Sequence, residues 1–271
     1  MPSWINGRPA ETLPVTDRGL AYGDGLFETI AVKAGRPLLF ERHLQRLATG
    51  CSRLAIAADQ SLIRSELLAF AAQLGEGVMK LILTRGDSLR GYAPAPMAEP
   101  RRILQGGAAP AYPAAHAEQG ICLFECLTRL SEQPLLAGLK HLNRLEQVLA
   151  RSEWQDSAYA EGLMCDTSGR IIEGVYSNVF LIKEGVLLTA DLSRCGVAGV
   201  MRAELLAQAR TLGIGTEERD IQWLDLEQAD EVFLSNSVYG VWPVRGVARL
   251  NWPVGPLTRK LQGIARALLD V

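Results

Sequence analysis

Short apolar runs of two different periods follow one another along this chain, and their alternation is what most limits its fold. SWING reads as a short strand ending at Gly7, and LFETIAVKAGRPLLF as two strands turning at Ala34-Gly35-Arg36. ERHLQRLATGCSRLAI then sets Leu44, Leu47, Cys51 and Leu54 three and four residues apart, a helical stripe. SLIRSELLAFAAQL repeats that pattern with Leu62, Leu67, Leu68 and Leu74, stops at Gly75-Glu76-Gly77, and VMKLILTR follows as a strand. AAPAYPAAHA, from Ala108 to Ala117, is rich in Pro and Ala, carries no acidic or basic charge, and reads as an interdomain connection. Beyond it come the strand ICLFECL, a helix from about His141 to Trp154, and strands near 159–166 and 175–182. A helix near 200–212, the strand EVFLS and a closing helix from about 257 to 269 complete the pattern, with no internal repeat. A length of 271 residues suits one or two domains. The pattern predicts an α+β chain of two: an α/β domain over 1–107, a connection at 108–118, and a second domain over 119–271 that contains Lys140.

Charge and composition remove several classes of function. The 28 basic and 30 acidic residues leave a net charge of −2, without the basic excess that nucleic-acid or anionic-membrane binding requires. A hydrophobic share of 48% against 21% charged residues supplies a packed core and argues against disorder. The five cysteines are odd in number and form no Cys-x-x-Cys; Cys122 and Cys126, four apart on a strand, would stand roughly 13 Å from each other. Reduced thiols in the cytoplasm are the expectation. Only His43, His116 and His141 are present, in no zinc-type spacing, so no metal is expected. The N-terminus lacks the basic start and apolar run of a signal peptide, and no run approaches the roughly 20 residues of a membrane helix.

A few residues carry chemical possibilities, each beside a plainer reading. Lys140 opens GLKHLNRLEQVLARSEW, in which Leu142, Leu145, Val148 and Leu149 mark an apolar helix face. That places the lysine at a helix start, whose partial positive charge favours the neutral amine of a Schiff-base nucleophile; most lysines so placed are solvated. In EGVYSNVFLIK a regular strand would put Glu173, Val175, Ser177 and Val179 on one face. A carboxylate buried there needs a donor or cation, whereas one at a strand edge needs only water. GVAGVMRAELL sets two glycines before a helix beginning near Val200, an arrangement suited to a phosphate and equally to an ordinary junction. Ser235, Asn236 and Ser237 of LSNSV offer donors or simply form a turn. Arg46, three residues after His43, can fork onto a phosphate, and Arg85 and Arg90 of TRGDSLRGY onto a substrate carboxylate; the surface is the ordinary place for all three. Lysine, isolated acid and phosphate-type sites together fit a pyridoxal phosphate enzyme, and a phosphate-binding protein of another kind as well.

YGDGLFET, ERHLQRL, GLKHLNRLEQVLAR, EGVYSNVFLIK and GVAGVMR, in that order between Asn6 and Pro243, resemble the fold-type IV, class IV aminotransferase-like, pyridoxal phosphate enzymes. KHLNRLEQV is most similar to the members that eliminate pyruvate from 4-amino-4-deoxychorismate to give 4-aminobenzoate for folate. The resemblance implies that Lys140 is the Schiff-base lysine and that Glu173 pairs with the pyridine nitrogen. It implies that Arg46, the backbone N–H groups of Val200 and Met201, and Ser237 meet the phosphate, with Asn178 supporting Glu173 or the ring. Thr29, Arg90 and Asn236 are implied at the substrate. It further implies a smaller N-terminal α/β domain, a larger C-terminal domain with a β-barrel-like sheet, the cofactor between them and a homodimer, and leaves open functional coupling to an aminodeoxychorismate synthase. Asn143, Arg144 and Leu145 stand where branched-chain transaminases have a tyrosine, and GDSLRGY lacks the Arg-x-His trap of D-amino acid transaminases. Those transaminases, and a non-catalytic homologue, are the alternatives.

Overall fold

The computed structural model describes residues 2–88, 91–95 and 98–270, packed as two units. The first reaches to Pro110 and also takes in Leu139–Asn143. Its elements are β1 (Ser3–Ile5), β2 (Arg8–Pro9), α1 (Arg18–Tyr22), β3 (Gly25–Lys33), β4 (Arg36–Pro37), α2 (Phe40–Leu54), α3 (Gln60–Leu74), β5 (Gly77–Thr84) and β6 (Arg101–Gly107). The strands form an antiparallel sheet in the order β2-β1-β6-β5-β3-β4. Strict alternation along β3 buries Leu26, Glu28, Ile30 and Val32 on one face and leaves Phe27, Thr29, Ala31 and Lys33 half-buried on the other. Helices α2 and α3 cover the first face.

The expected α2 stripe is present: Leu44, Leu47 and Cys51 are buried, and Leu54 packs at its edge. Each such leucine contributes roughly 1.5–3 kcal/mol. The helix crosses β3 at Gly50, where a methyl group would stand 2.7 Å from Leu26 Cδ1. In α3 the buried stripe runs through Ile63, Leu67, Phe70 and Ala71, while Leu62 and Leu68 face outward. Phe70 sets that rotation, since its ring meets Trp4 edge-on at 5.2 Å in the core of the sheet.

The second unit comprises Ala111–Gly138 and Arg144–Asp270. It contains α4 (Ala114–Glu118), β7 (Ile121–Leu130), α5 (Leu145–Arg151), β8 (Tyr159–Asp166), β9 (Ile171–Gly174), β10 (Asn178–Lys183), β11 (Val186–Ala190), α6 (Val200–Thr211), β12 (Thr216–Arg219), α7 (Trp223–Glu227), β13 (Glu231–Asn236), β14 (Gly240–Val247), β15 (Leu250–Asn251) and α8 (Pro256–Leu269). Six of its strands close a ring, β10-β13-β14-β7-β8-β9, because β9 pairs back onto β10. This is the barrel-like sheet expected of the C-terminal part. Inside it pack Leu163, Val179, Leu181, Leu234 and Trp242, and α6 and α8 lie outside against β13 and β14. The ring is sealed by one residue pair, Glu173 with Asn178.

Two sequence expectations change here. Glu173 and Ser177 do not share a strand: the chain turns between Gly174 and Asn178. The Glu161 carboxyl group forces that turn by accepting from Val175 N–H and the Ser177 hydroxyl, both at 3.0 Å. The helix expected from His141 begins only at Leu145, because Leu142 N–H donates to Gly25 O and Phe27 N–H to Lys140 O, strand-like bonds that hold 139–142 extended. Its inward residues are Gln147 and Ala150, and Leu145, Val148 and Leu149 are 69%, 58% and 54% exposed. The five cysteines are all thiols. No helix is long and apolar enough to cross a membrane among the described residues.

Candidate active site

Lys140 belongs to the short extended segment that the first unit gathers in. Leu139 is buried in that unit's core and His141 bridges to Leu26, so the lysine between them is fixed on both sides. Its Nζ lies 4.3 Å from the centroid of the Phe27 ring. The helix-dipole argument for this lysine therefore does not apply; strand pairing, and not a helix terminus, positions it.

In the same unit Arg46 of α2 makes a two-point contact with Glu28 of β3, Nε to Oε1 at 2.8 Å and Nη2 to Oε2 at 2.5 Å. His43, one turn before Arg46, approaches Glu28 Oε2 through Nδ1 at 2.6 Å. Burial pushes the Glu28 carboxyl up, but the Arg46 charge and the hydrogen bonds from Arg46 and His43 outweigh it and hold it down at about 2. Burial lowers the His43 pKa against the pull of Glu28, and the charges of Arg46 and Lys140 lower it further. His43 is thus a neutral imidazole donating Nδ1–H to a carboxylate, with its buried Nε2 without a partner among the described residues. The contact with Glu28 uses two of the five guanidinium N–H groups of Arg46.

Thr29 lies two residues beyond Phe27 on the same half-buried face. Arg85 is not a substrate ligand candidate: Asp24 and the carbonyls of Leu54 and Ala55 take its guanidinium, each at 2.8 Å. Arg90 lies outside the described residues.

The second unit gathers the remaining candidates around one peptide. Val197 N–H donates to Glu173 Oε2 at 2.8 Å, and Asn178 Nδ2 donates to Val197 O at 2.8 Å. The pair that seals the barrel thus grips both ends of the Val197 peptide. Glu173 is buried, and its other oxygen has Gln147 Nε2 at 3.4 Å. Gly138, two residues before Lys140 in the chain, is bridged to the same loop: its N–H donates to Gly196 O, and its carbonyl accepts from Ala198 N–H.

That loop leads into α6 through Gly199, which makes no side-chain cap. A Cβ on Gly199 would overlap Asn178 Oδ1, so the close approach admits only glycine. Val200 and Met201 are buried in the first turn of this twelve-residue helix, with backbone N–H groups that receive no side-chain acceptor from the cap position. Ser237 sits half-buried in the turn after β13. Asn236 is a turn former: its Oδ1 accepts from Val238 and Tyr239 N–H at 2.9 Å, and its Nδ2 donates to Tyr176 O.

The structure brings Thr29, Arg46 and Lys140 into one unit, and Glu173, Asn178, Val200, Met201, Asn236 and Ser237 into the other. Each unit carries groups of the kind a phosphorylated pyridine aldehyde takes: an amine and an arginine in the first, and a buried carboxylate and a glycine-led helix start in the second. Among the described residues no three His, Cys, Asp or Glu side chains are grouped to hold a metal ion. Sequence reading missed Glu28 and Gln147. Glu28 left a trace, an acid at the buried beat of the Leu26-Glu28-Ile30-Val32 alternation; Gln147 left none, because the apolar residues of its helix pointed to the opposite face.

Residues 25–247 match the amino-transferase class IV family. The aminodeoxychorismate lyase of Vibrio harveyi is 36% identical over 265 residues, covering 96% of this chain and 98% of its own. The crystal structure of 4-amino-4-deoxychorismate lyase from Pseudomonas aeruginosa is 62% identical and superposes with a TM-score of 0.98 over 99% of this chain and 100% of its own. The branched-chain amino acid aminotransferase of Escherichia coli has the same fold at 26% identity and a TM-score of 0.86, covering 99% and 94%. The chain belongs to the amino-transferase class IV family and has its fold-type IV architecture.

Proposed function

We propose that this chain is a pyridoxal 5′-phosphate-dependent lyase that converts 4-amino-4-deoxychorismate to 4-aminobenzoate and pyruvate. The observation that carries the reading is the 62% identity, over nearly the whole chain, to a lyase of that name; the aminotransferase match is far more distant. When bound, the cofactor supplies an aldehyde that captures the substrate amine and an electron-poor ring that stabilises negative charge on the adjoining carbon. Lys140 would hold the cofactor through its amine and, once free, would take the proton from C4 of the substrate. Glu173 accepts a hydrogen bond from the protonated ring nitrogen, since an anion beside that nitrogen raises its pKa. Asn178 keeps the Val197 peptide, and through it Glu173, in place. Arg46, the N–H groups of Val200 and Met201, and the Ser237 hydroxyl bind the phosphate. Thr29, Arg90 and Asn236 are the substrate-side residues. The C3 oxygen substituent leaves as enolpyruvate, which takes up a proton to become pyruvate, and the ring left behind is aromatic, which drives the elimination.

The enzyme acts as a homodimer, which the outward stripe of Leu145, Val148 and Leu149, together with exposed Leu127 and Leu135, supports. It works in the cytoplasm, where five unpaired thiols persist, and takes its substrate from a synthase. Aminodeoxychorismate generated in situ from chorismate, glutamine and that synthase tests the reading. The expected outcome is 4-aminobenzoate and pyruvate in equal amounts with no keto acid supplied, abolished in Lys140→Ala. Amine transfer from D-alanine or leucine to 2-oxoglutarate, with no 4-aminobenzoate, would make the chain a transaminase.

A further inference from the structure

The geometry points to Glu161 as a positioning residue for Glu173, its carboxyl group being the template on which the turn from Glu173 to Asn178 is set. The assignment rests on the reading of Glu173 as the partner of the cofactor's ring nitrogen. Glu173 and Asn178 face one another across the seam of the barrel, and the turn between them closes through Gly174 N–H to Ser177 O at 2.8 Å. That turn is then tied along β8. The Tyr176 hydroxyl donates to Ala160 O at 2.9 Å, and Val175 N–H reaches Gly162 O at 3.2 Å. Between these two ties lies the Glu161 carboxyl group. Its Oε1 accepts from Gly162 N–H at 3.1 Å and Val175 N–H at 3.0 Å, and its Oε2 meets the Ser177 hydroxyl at 3.0 Å. A Cβ on Gly174, the residue after Glu173, would overlap Ser177 Oγ and stand 3.2 Å from Glu161 Cδ, so the backbone there lies directly on this carboxyl group.

Glu161 is fully buried and forms no ion pair among the described residues. The titratable groups around it are the phenols of Tyr112, Tyr176 and Tyr239 and the Cys126 thiol of β7, all raised by burial and uncharged at neutral pH. Burial therefore outweighs the hydrogen bonds and pushes the Glu161 carboxyl up to about 8. At pH 7 the group is a neutral acid, so it does not work by attracting a charge. What it supplies is an acceptor for backbone N–H groups inside the barrel wall and a second oxygen for Ser177, contacts that a buried turn needs in order to hold one shape. A small apolar side chain would leave those groups unpaired and the turn free to shift, and Glu173 would shift with it. Glu161 touches neither cofactor nor substrate in this role. It acts through residues 174–178.

The test loads wild type, Glu161→Gln, Glu161→Ala and Ser177→Ala with pyridoxal phosphate isotopically labelled at its ring nitrogen. Nuclear magnetic resonance reads the protonation of that nitrogen at pH 7, and fluorescence titration reads cofactor affinity. An anion held at the ring nitrogen keeps it protonated, and a displaced one lets the proton go. Glu161→Gln presents an amide oxygen to both backbone N–H groups and an amide N–H to Ser177, so it should keep the wild-type signal and bind within about threefold. Glu161→Ala should move the signal toward the unprotonated position and weaken binding about tenfold. Ser177→Ala should move both in the same direction by less. The wild-type signal in Glu161→Ala, or in Ser177→Ala where Glu161→Ala does not fold, would overturn the assignment; so would a Glu161→Gln enzyme that behaves as Glu161→Ala does. In that event Glu173→Gln separates the two ideas: a moved signal leaves Glu173 as the ring acid and removes only Glu161, whereas an unmoved one overturns both.

Discussion

Replacing Glu28 by Gln should cost the first unit several kcal/mol, by an amount that depends on pH in a defined direction. The carboxylate is buried, takes two hydrogen bonds from Arg46 and a third from His43, and is held at about 2 against an ordinary 4.5. At about 1.4 kcal/mol per pH unit, that drop corresponds to roughly 3 kcal/mol contributed by the ionised form. The sign follows from a depressed carboxyl: the contribution is complete above pH 4.5 and is lost as pH falls through about 2. Gln cannot ionise and leaves Arg46 opposite a neutral amide, so the deficit at pH 7 should be about 3–5 kcal/mol, the usual cost of breaking a buried pair from one side. His43 adds a loss in the same direction below pH 6.5, since its neutral form is the folded one. Because Glu28 holds the His43 pKa up, that loss is larger in the variant, and the effect of Glu28 itself is read below pH 4.5.

The quantity to follow is the gap between wild type and Glu28→Gln, measured as the opening free energy of amides in β3 and α2 by hydrogen exchange across pH 7 to 3. The gap should narrow steadily from pH 4.5 toward pH 3, as protonation begins to remove from wild type what the variant already lacks. A gap below about 1 kcal/mol at pH 7, or one that stays constant as pH falls, would refute the assignment of a buried, ionised Glu28.

Gly199→Ala should weaken pyridoxal phosphate binding about tenfold or more, because the new methyl group meets Asn178 Oδ1 at the start of α6; adding Asn178→Gly should recover part of it in a fluorescence titration. Glu161, pushed up to about 8 chiefly by burial, makes wild type less stable as pH rises from 4.5 through 8, since the unfolded chain ionises first. The urea midpoint of wild type relative to that of Glu161→Gln should therefore fall from pH 5 to pH 8. Leu145→Glu with Leu149→Glu should shift the sedimentation of the protein to that of a monomer; an unchanged species would remove α5 from any interface.

Local period was legible wherever hydrogen-bond partners were also local. The stripe of α2, the strand up to Lys33 and the start of α6 at Val200 stand where spacing put them, whereas the strand expected through Phe40 stops at Pro37 because Phe40 opens α2. The strand β6 was not legible, since RRILQGG gives a sheet interior no alternation to read. Lys140 shows the more general limit. GLKHLNRLEQVLAR has a helical period, yet 139–142 bonds to Gly25 and Phe27, more than a hundred residues earlier, and those bonds win over an isolated helical turn. The period itself was real, but it marked the outward side of α5, because a spacing of three and four says which residues share a face and not what covers it.

The candidate site depends on the same kind of distant partner. Nothing near Glu173 in sequence accounts for its burial; Val197, 24 residues later, supplies the donor. Nothing near Val197 explains its rigidity either, since its carbonyl is held by Asn178 and its loop by Gly138. Glu173 and Asn178 are also the one pair that closes the six-stranded ring. Closing the barrel and fixing the acid are therefore one event, and a change at this seam should alter the set of the loop before α6 together with the acid. The sequence could nominate Lys140 and Glu173 as chemical residues. That Gly138, two residues before the lysine, is bonded to the loop held by the acid is a property of the folded chain.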